Sequence, residues 1–162
     1  MSDRPVLTMM VGLPGSGKSK IADELKEKAT LNNFDIHLYS TDKWIEDLAE
    51  ASNHGYNQLF KAEIGKATKH ADKCLEEALK HSKSIIWDQT NLTIKSRAKK
   101  LAKIPCHYLK VCIFVNTPLD ECLLRNSKRP EGRRIAENLI YNMYLSLQTP
   151  SKDEGFDAII LQ

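Results

Sequence analysis

The chain has 162 residues, enough for one domain with a sizeable core and no need of a disulfide or metal staple. Hydrophobic residues make up 41% and charged residues 28%, which excludes a disordered chain, a collagen-like repeat and a membrane span. The net charge of +3 is too small to declare a nucleic-acid binder by itself, so distribution has to carry that question.

Asp3 and Arg4 precede a short apolar run, Val6 to Val11, that reads as a buried strand. The layout is not that of a signal peptide, and a reduced cytoplasm is the expected location. Gly12-Leu13-Pro14-Gly15-Ser16-Gly17-Lys18-Ser19 follows at once and matches G-x-x-x-x-G-K-[ST]. A strand before it and an amphipathic helix after it (Ile21, Ala22, Leu25) supply the context that motif needs. Gly12, Pro14, Gly15, Ser16 and Gly17 are expected to wrap backbone N–H groups around phosphates. Lys18 is expected to reach the β- and γ-phosphates of a nucleoside triphosphate, and Ser19 to bind Mg²⁺.

His37 to Ser40 is a second strand candidate, with Asp42 two residues beyond it. From Tyr56 to about Lys80 apolar residues recur with a 3.6-residue period, predicting a long helix. Ser84 to Trp87 is a third strand, ending at Asp88. Acids at the carboxyl ends of parallel strands are where phosphoryl-transfer chemistry is placed. Asp42 is also readable as a helix cap, and Asp88 as a turn former.

From Asn91 to Thr117 there is no Asp or Glu, while Lys95, Arg97, Lys99, Lys100, Lys103 and Lys110 are all basic. Part of that set forms one helical face, readable either as a nucleic-acid track or as a solvated helix. Trp44 and Tyr56 are weak candidates for stacking on a base. Leu109 to Val115 is a fourth strand in which Cys112 is expected to be inert packing. None of the four cysteines forms a CxxC, and the histidines are scattered, so no zinc site is expected.

Thr117-Pro118-Leu119-Asp120 predicts a helix with Thr117 as N-cap and Pro118 at its first position. Arg125 and Arg129, four residues apart, would point the same way, readable either as a clamp on phosphates or as a solvated basic face. Pro130 and Gly132 interrupt the pattern before a helix from about Ile135 to Leu147, which suggests a mobile lid over about 125–135. Ala158 to Leu161 is the last strand. Alternating strands and helices predict a three-layer α/β fold: a parallel five-stranded sheet between helices, one domain over 1–162.

Taken together, the phosphate loop, Asp42 after a strand and Asp88-Gln89-Thr90-Asn91-Leu92 resemble the kinase domain of bacteriophage 5′-polynucleotide kinases. Leu124-Arg125-Asn126-Ser127-Lys128-Arg129 and Met143-Tyr144-Leu145-Ser146-Leu147 extend the resemblance over nearly the whole chain. The resemblance implies a P-loop kinase fold and transfer of the ATP γ-phosphate to a 5′-hydroxyl end of DNA or RNA. It implies Asp42 as general base, and Asp88, Thr90 and Asn91 as the acceptor-side element. Arg125 and Arg129 become lid arginines that stabilise the transferring phosphoryl group. A role in nucleic-acid end repair, with no obligate protein partner, belongs to the same expectation.

Two departures stand out. The family carries an arginine three residues after the catalytic aspartate to grip the acceptor phosphate, and here that residue is Ile45. Lys43 or the Lys95 to Lys103 cluster would have to replace it. The phage enzymes also often continue into a 3′-phosphatase domain, an activity not expected of a chain ending at Gln162. A kinase of a small-molecule hydroxyl (nucleoside, sugar or antibiotic) and a non-catalytic nucleotide-binding module are the alternatives.

Overall fold

A computed structural model describes residues 4–162, so Asp3 lies outside the described residues. Five strands form one wholly parallel sheet: β1 (Val6–Val11), β2 (Ile36–Tyr39), β3 (Ser84–Trp87), β4 (Leu109–Phe114) and β5 (Ala158–Leu161). Their spatial order is β2-β3-β1-β4-β5. The chain leaves β1 for the edge strand β2, returns to insert β3 between β2 and β1, and then crosses to the other side of β1 for β4 and β5, which opens a crevice at the carboxyl ends of the strands. The predicted five-stranded α/β architecture holds. The second strand is shifted one residue toward the N-terminus, and the fourth ends one residue early, at Phe114.

The helices are α1 (Lys18–Leu31), α2 (Thr41–Ser52), α3 (Tyr56–Lys80), α4 (Ile94–Leu101), α5 (Leu119–Ser127) and α6 (Glu137–Ser146). Alternation along the strands divides the core in two. Leu7, Met9, Val11, Ile85, Trp87, Cys112 and Phe114 face Ala71 and Leu75 of α3. Met10, Ile86, Ile113 and Val115 face Ala22 of α1, with Ile21 and Leu25 packed at the edge. The same alternation turns Trp87 into the first layer and sends the next residue, Asp88, toward α1.

α5 starts differently from its sequence pattern. Pro118, not Thr117, is the N-cap, since its carbonyl accepts the first helical bond from the Cys122 N–H. The Thr117 hydroxyl instead donates to the Ser16 carbonyl at 2.8 Å. A tertiary acceptor in the phosphate loop has taken the hydroxyl that capping would have used.

Arg97 requires a larger correction. Its expected place was a basic face, but it is fully buried. Nε and Nη2 donate to the two carboxylate oxygens of Glu154 at 2.7 and 2.8 Å. Nη1 donates to the carbonyls of Asn91 and Leu92 at 2.9 and 3.1 Å. A planar fork satisfied on every side can be buried where a solvated cation cannot.

Candidate active site

The turn after β1 is held from several directions. The Gly12 N–H donates to the Thr90 carbonyl at 3.0 Å, which ties the loop to the segment after β3. Gly15 and Gly17 have φ of +83° and +98°, a region that side chains rarely adopt. At Gly15 an added Cβ would also lie 2.7 Å from the Cys122 carbonyl oxygen. Leu13 packs beneath the turn against Leu92 and Cys122. The buried Ser16 hydroxyl has no hydrogen-bond partner within the protein. An orphaned buried hydroxyl in a glycine-rich turn at the N-terminus of α1 fits a bound phosphate.

Lys18 opens α1 and is buried, with its ammonium 3.4 Å from the Leu13 carbonyl. Burial pushes its pKa down, Asp88 and Asp42 push it back up, and Arg129 opposes them. Asp42, Asp88 and Arg129 are therefore all near enough for their charges to act on one ammonium. The opposite shift occurs at Asp88, whose pKa is raised by burial against the pull of Lys18 and a hydrogen bond from Ser19. One Asp88 carboxylate oxygen, Oδ1, is buried without a partner. A serine hydroxyl beside an unsatisfied carboxylate oxygen is a donor set suited to Mg²⁺.

Asp42 sits exposed in the first turn of α2. It is not the cap of that helix, because Ser40 is, accepting from the Lys43 N–H at 3.3 Å. The side chain of Asp42 is instead hydrogen-bonded by the Tyr56 hydroxyl, whose pKa is raised by burial and by Asp42. Tyr56 was a stacking candidate in the sequence, and its contact with Asp42 was missed. The only signal was an aromatic residue opening a helix after Asn53-His54-Gly55. From Tyr56 the contacts continue into the lid. The Arg133 guanidinium lies 5.8 Å from its ring centroid and pairs with Glu46 at 2.8 Å. Asn57 donates to the Arg134 carbonyl at 3.0 Å.

The two lid arginines part company. Arg125, within α5, pairs with Glu121 at 2.8 Å and donates to the Gly15 and Ser16 carbonyls at 3.2 Å each. Arg129 lies just past the Lys128 C-cap, where Lys18 feels its charge. Between them Asn126 is buried and closes the segment 127–134 as a loop. Its amide nitrogen donates to the Ile135 carbonyl at 2.7 Å, and its oxygen accepts from the Ile135 N–H at 3.0 Å.

Of Thr90 and Asn91, Asn91 commits its side chain to the fold. Thr90 uses its carbonyl on Gly12. Asn91 is buried at φ +50°, its amide donating to the Met10 carbonyl at 2.7 Å and the Gln89 carbonyl at 3.1 Å. Lys100 donates to the Asn91 side-chain oxygen. Ile45, where an arginine was expected, is wholly buried. Trp44 packs near His70, ring centroids 6.2 Å apart. Cys112 is buried, which pushes its thiol up to about 12 and leaves it unreactive.

Comparison with known proteins agrees with this architecture. An L-seryl-tRNA(Sec) kinase of Methanococcus maripaludis is 29% identical over 161 residues, covering 94% of this chain and 56% of that protein. The chain thus spans a little over half the length of that curated relative. A chain of the Pnkp1/Rnl/Hen1 RNA repair complex superposes with a TM-score of 0.69 at 22% identity, over 97% of this chain and 48% of that one. A gluconokinase from Sinorhizobium meliloti 1021 gives 0.56 at 16% identity, over 97% and 81%. At such identities the solved structures speak to the fold alone. Residues 7–142 match the sequence profile of a family described as an AAA domain, and these residues contain the phosphate loop, both acids and the lid. With five parallel strands in the order above and a glycine-rich loop at the end of the first, the chain is a member of that AAA-domain family with the P-loop kinase fold.

Proposed function

We propose that the chain transfers the γ-phosphate of ATP to a 5′-hydroxyl end of DNA or RNA, with Asp42 as general base. The observation that carries this reading is that Asp42 and Asp88 follow the carboxyl ends of β2 and β3, on the sheet end where the phosphate loop follows β1, with Lys18 subject to the charges of both acids and of Arg129. In the step, the acceptor oxygen bonds to the γ-phosphorus as its bond to the β–γ bridging oxygen breaks. The acceptor proton passes to the Asp42 carboxylate, and ADP leaves with the bridging oxygen. Tyr56 holds that carboxylate in place. Lys18 and Arg129 meet the charge that spreads over the transferring group, and Arg125 braces the loop carbonyls. Ser19 and Asp88 would hold Mg²⁺, which when bound neutralises charge between the β- and γ-phosphates. Similarity to a kinase of a tRNA-borne group and to a chain of an RNA repair complex supports an acceptor carried on nucleic acid.

The burial of Ile45 favours a second reading, a kinase of a small-molecule hydroxyl, since that position offers no cation to an acceptor phosphate. The deciding experiment is transfer of labelled γ-phosphate from ATP–Mg²⁺ to 5′-hydroxyl DNA and RNA oligonucleotides. Nucleosides, sugars and seryl-tRNA run as parallel acceptors. Label at 5′ ends, reduced by about 10²-fold or more in Asp42→Asn while ATP still binds, is the expected result. Full activity in Asp42→Asn would remove it as the base. Label appearing only on a small molecule would establish the second reading.

A further inference from the structure

We propose that the groove between α3 and α4 is a second anion-binding site, which takes the phosphodiester backbone of a single nucleic-acid strand whose end lies at Asp42. The groove encloses a cavity of about 430 Å³ lined by Lys95, Lys99, Lys100 and Lys103, with Asp72 and Gln89. Four lysines face one carboxylate there, and that carboxylate is already engaged. Asp72 accepts from the Tyr39 hydroxyl at 3.0 Å and from Lys103 at 2.9 Å. Among the described residues neither Lys95 nor Lys99 takes part in an ion pair.

Lys100 is the more telling cation. It is half-buried, its ammonium 5.7 Å from the Trp87 ring centroid, and its hydrogen bond goes to a neutral amide. Burial and the neighbouring Lys103 pull its pKa down to about 8. A fold that keeps a cation at such a cost, with no carboxylate of its own beside it, is arranged for an anion from outside.

Position and spacing select the kind of anion. Tyr39 and Trp87 are the last residues of β2 and β3, so the groove opens at the same sheet edge as Asp42 and Asp88. Gln89 spans the boundary, accepting from the Trp87 ring N–H and donating to Thr41, the residue before Asp42, each at 3.0 Å. Lys95 and Lys99 are one helical turn apart, about 6 Å along the axis, and Lys103, in the turn past the end of α4, lines the same cavity. A single small phosphate would need one of these lysines, whereas a strand running away from Asp42 would meet them in succession. Because Tyr39 and Trp87 are buried, the site offers charge without base stacking, and its recognition would be independent of sequence.

The end assigned to Asp42 rests on the proposed end-phosphorylation, while the anion site itself does not. Single-stranded 5′-hydroxyl DNA and RNA of about 12 nucleotides, a length within ordinary single-strand site sizes, serve as probes. Binding is followed by fluorescence anisotropy across a salt series. Lys95→Glu/Lys99→Glu is compared with Lys26→Glu/Lys28→Glu on α1, which changes net charge equally. Melting curves establish that each variant is folded, and Lys95→Ala/Lys99→Ala replaces the reversal if it is not. Loss of two phosphate contacts should lower the slope of log affinity against log salt by about 1.4, with at least about tenfold weaker binding at low salt, in the α4 variant only.

Equal weakening in both charge-reversal variants would reduce the effect to overall field and overturn the site. Weakened binding in the α4 variant alone, with no 5′ transfer by the unaltered protein, would uphold the groove and defeat the end-phosphorylation reading. Unchanged affinity in that variant, with 5′ transfer intact, would do the reverse.

Discussion

At the scale of single residues, the proposed base is set by a partner rather than by its own position. Asp42 is exposed in a helical first turn, where a free carboxylate has several rotamers. The hydrogen bond from Tyr56 selects one, and Tyr56 is itself fixed by burial and by the Arg133 guanidinium over its ring. Tyr56→Phe keeps the ring and removes only the donor. It should lower kcat by about tenfold, the scale of one hydrogen bond at about 1.4 kcal/mol, and leave the KM for ATP unchanged. Steady-state kinetics separates this from a structural defect, which would move both parameters. Arg129→Ala should likewise depress turnover more than ATP affinity, whereas Arg125→Ala should affect both, because Arg125 carries the loop carbonyls. Isothermal titration with ATP beside single-turnover transfer distinguishes the two arginines.

Elements are joined to this site by buried polar clips. Arg97 in α4 connects the 3-10 turn Lys152–Glu154 to the segment after β3, and so supports the turn carrying Asp88 to Leu92. For Glu154, burial would raise the carboxyl pKa, but the hydrogen bonds from Arg97 and from the Ser151 N–H bring it below its usual value. A depressed carboxyl contributes stability that is present at neutral pH and lost as pH falls through its folded-state pKa. Arg97→Met should therefore cost about 3–5 kcal/mol in urea unfolding at pH 7, because Glu154 is left buried and unpaired. The pH-linked part of that loss should shrink on acidification, as Glu154 becomes neutral. Asn126 plays the corresponding part for the lid, exchanging two hydrogen bonds with Ile135 across the loop.

For the molecule as a whole, the sheet order places ligand chemistry at one edge and the stability of that edge depends on what binds there. The phosphate loop contains an orphaned hydroxyl and a desolvated ammonium, both of which a triphosphate would satisfy. ATP–Mg²⁺ at about 100 times its Kd should add about 2.7 kcal/mol, a rise in Tm of roughly 5–10 °C for a domain of this size. Differential scanning fluorimetry should show this shift in the unaltered protein and not in Lys18→Ala. The groove between α3 and α4 extends the same edge, so that the phosphate loop and the groove lie together where β1 and β3 end. No helix among the described residues is long and apolar enough to cross a membrane.

The sequence by itself determined what depends on neighbours along the chain. The phosphate loop was legible because strand, glycines, Lys18 and helix are contiguous, and their chemistry needs no distant partner. Strand order class, α3 with its 3.6-residue stripe, and the two acids following β2 and β3 were legible for the same reason, since periodicity and strand ends are local. Only the tertiary structure decided which polar side chains are spent on the fold. Arg97 and Lys99 look alike in a basic run, yet one is buried against Glu154, 57 residues away, and the other lines a groove. Thr117 has a capping sequence, yet its hydroxyl goes to Ser16, 101 residues back. Tyr56 meets Asp42 only because α2 and α3 pack together. A buried polar group must be satisfied by whatever the fold brings within reach, and that partner is set by packing rather than by spacing.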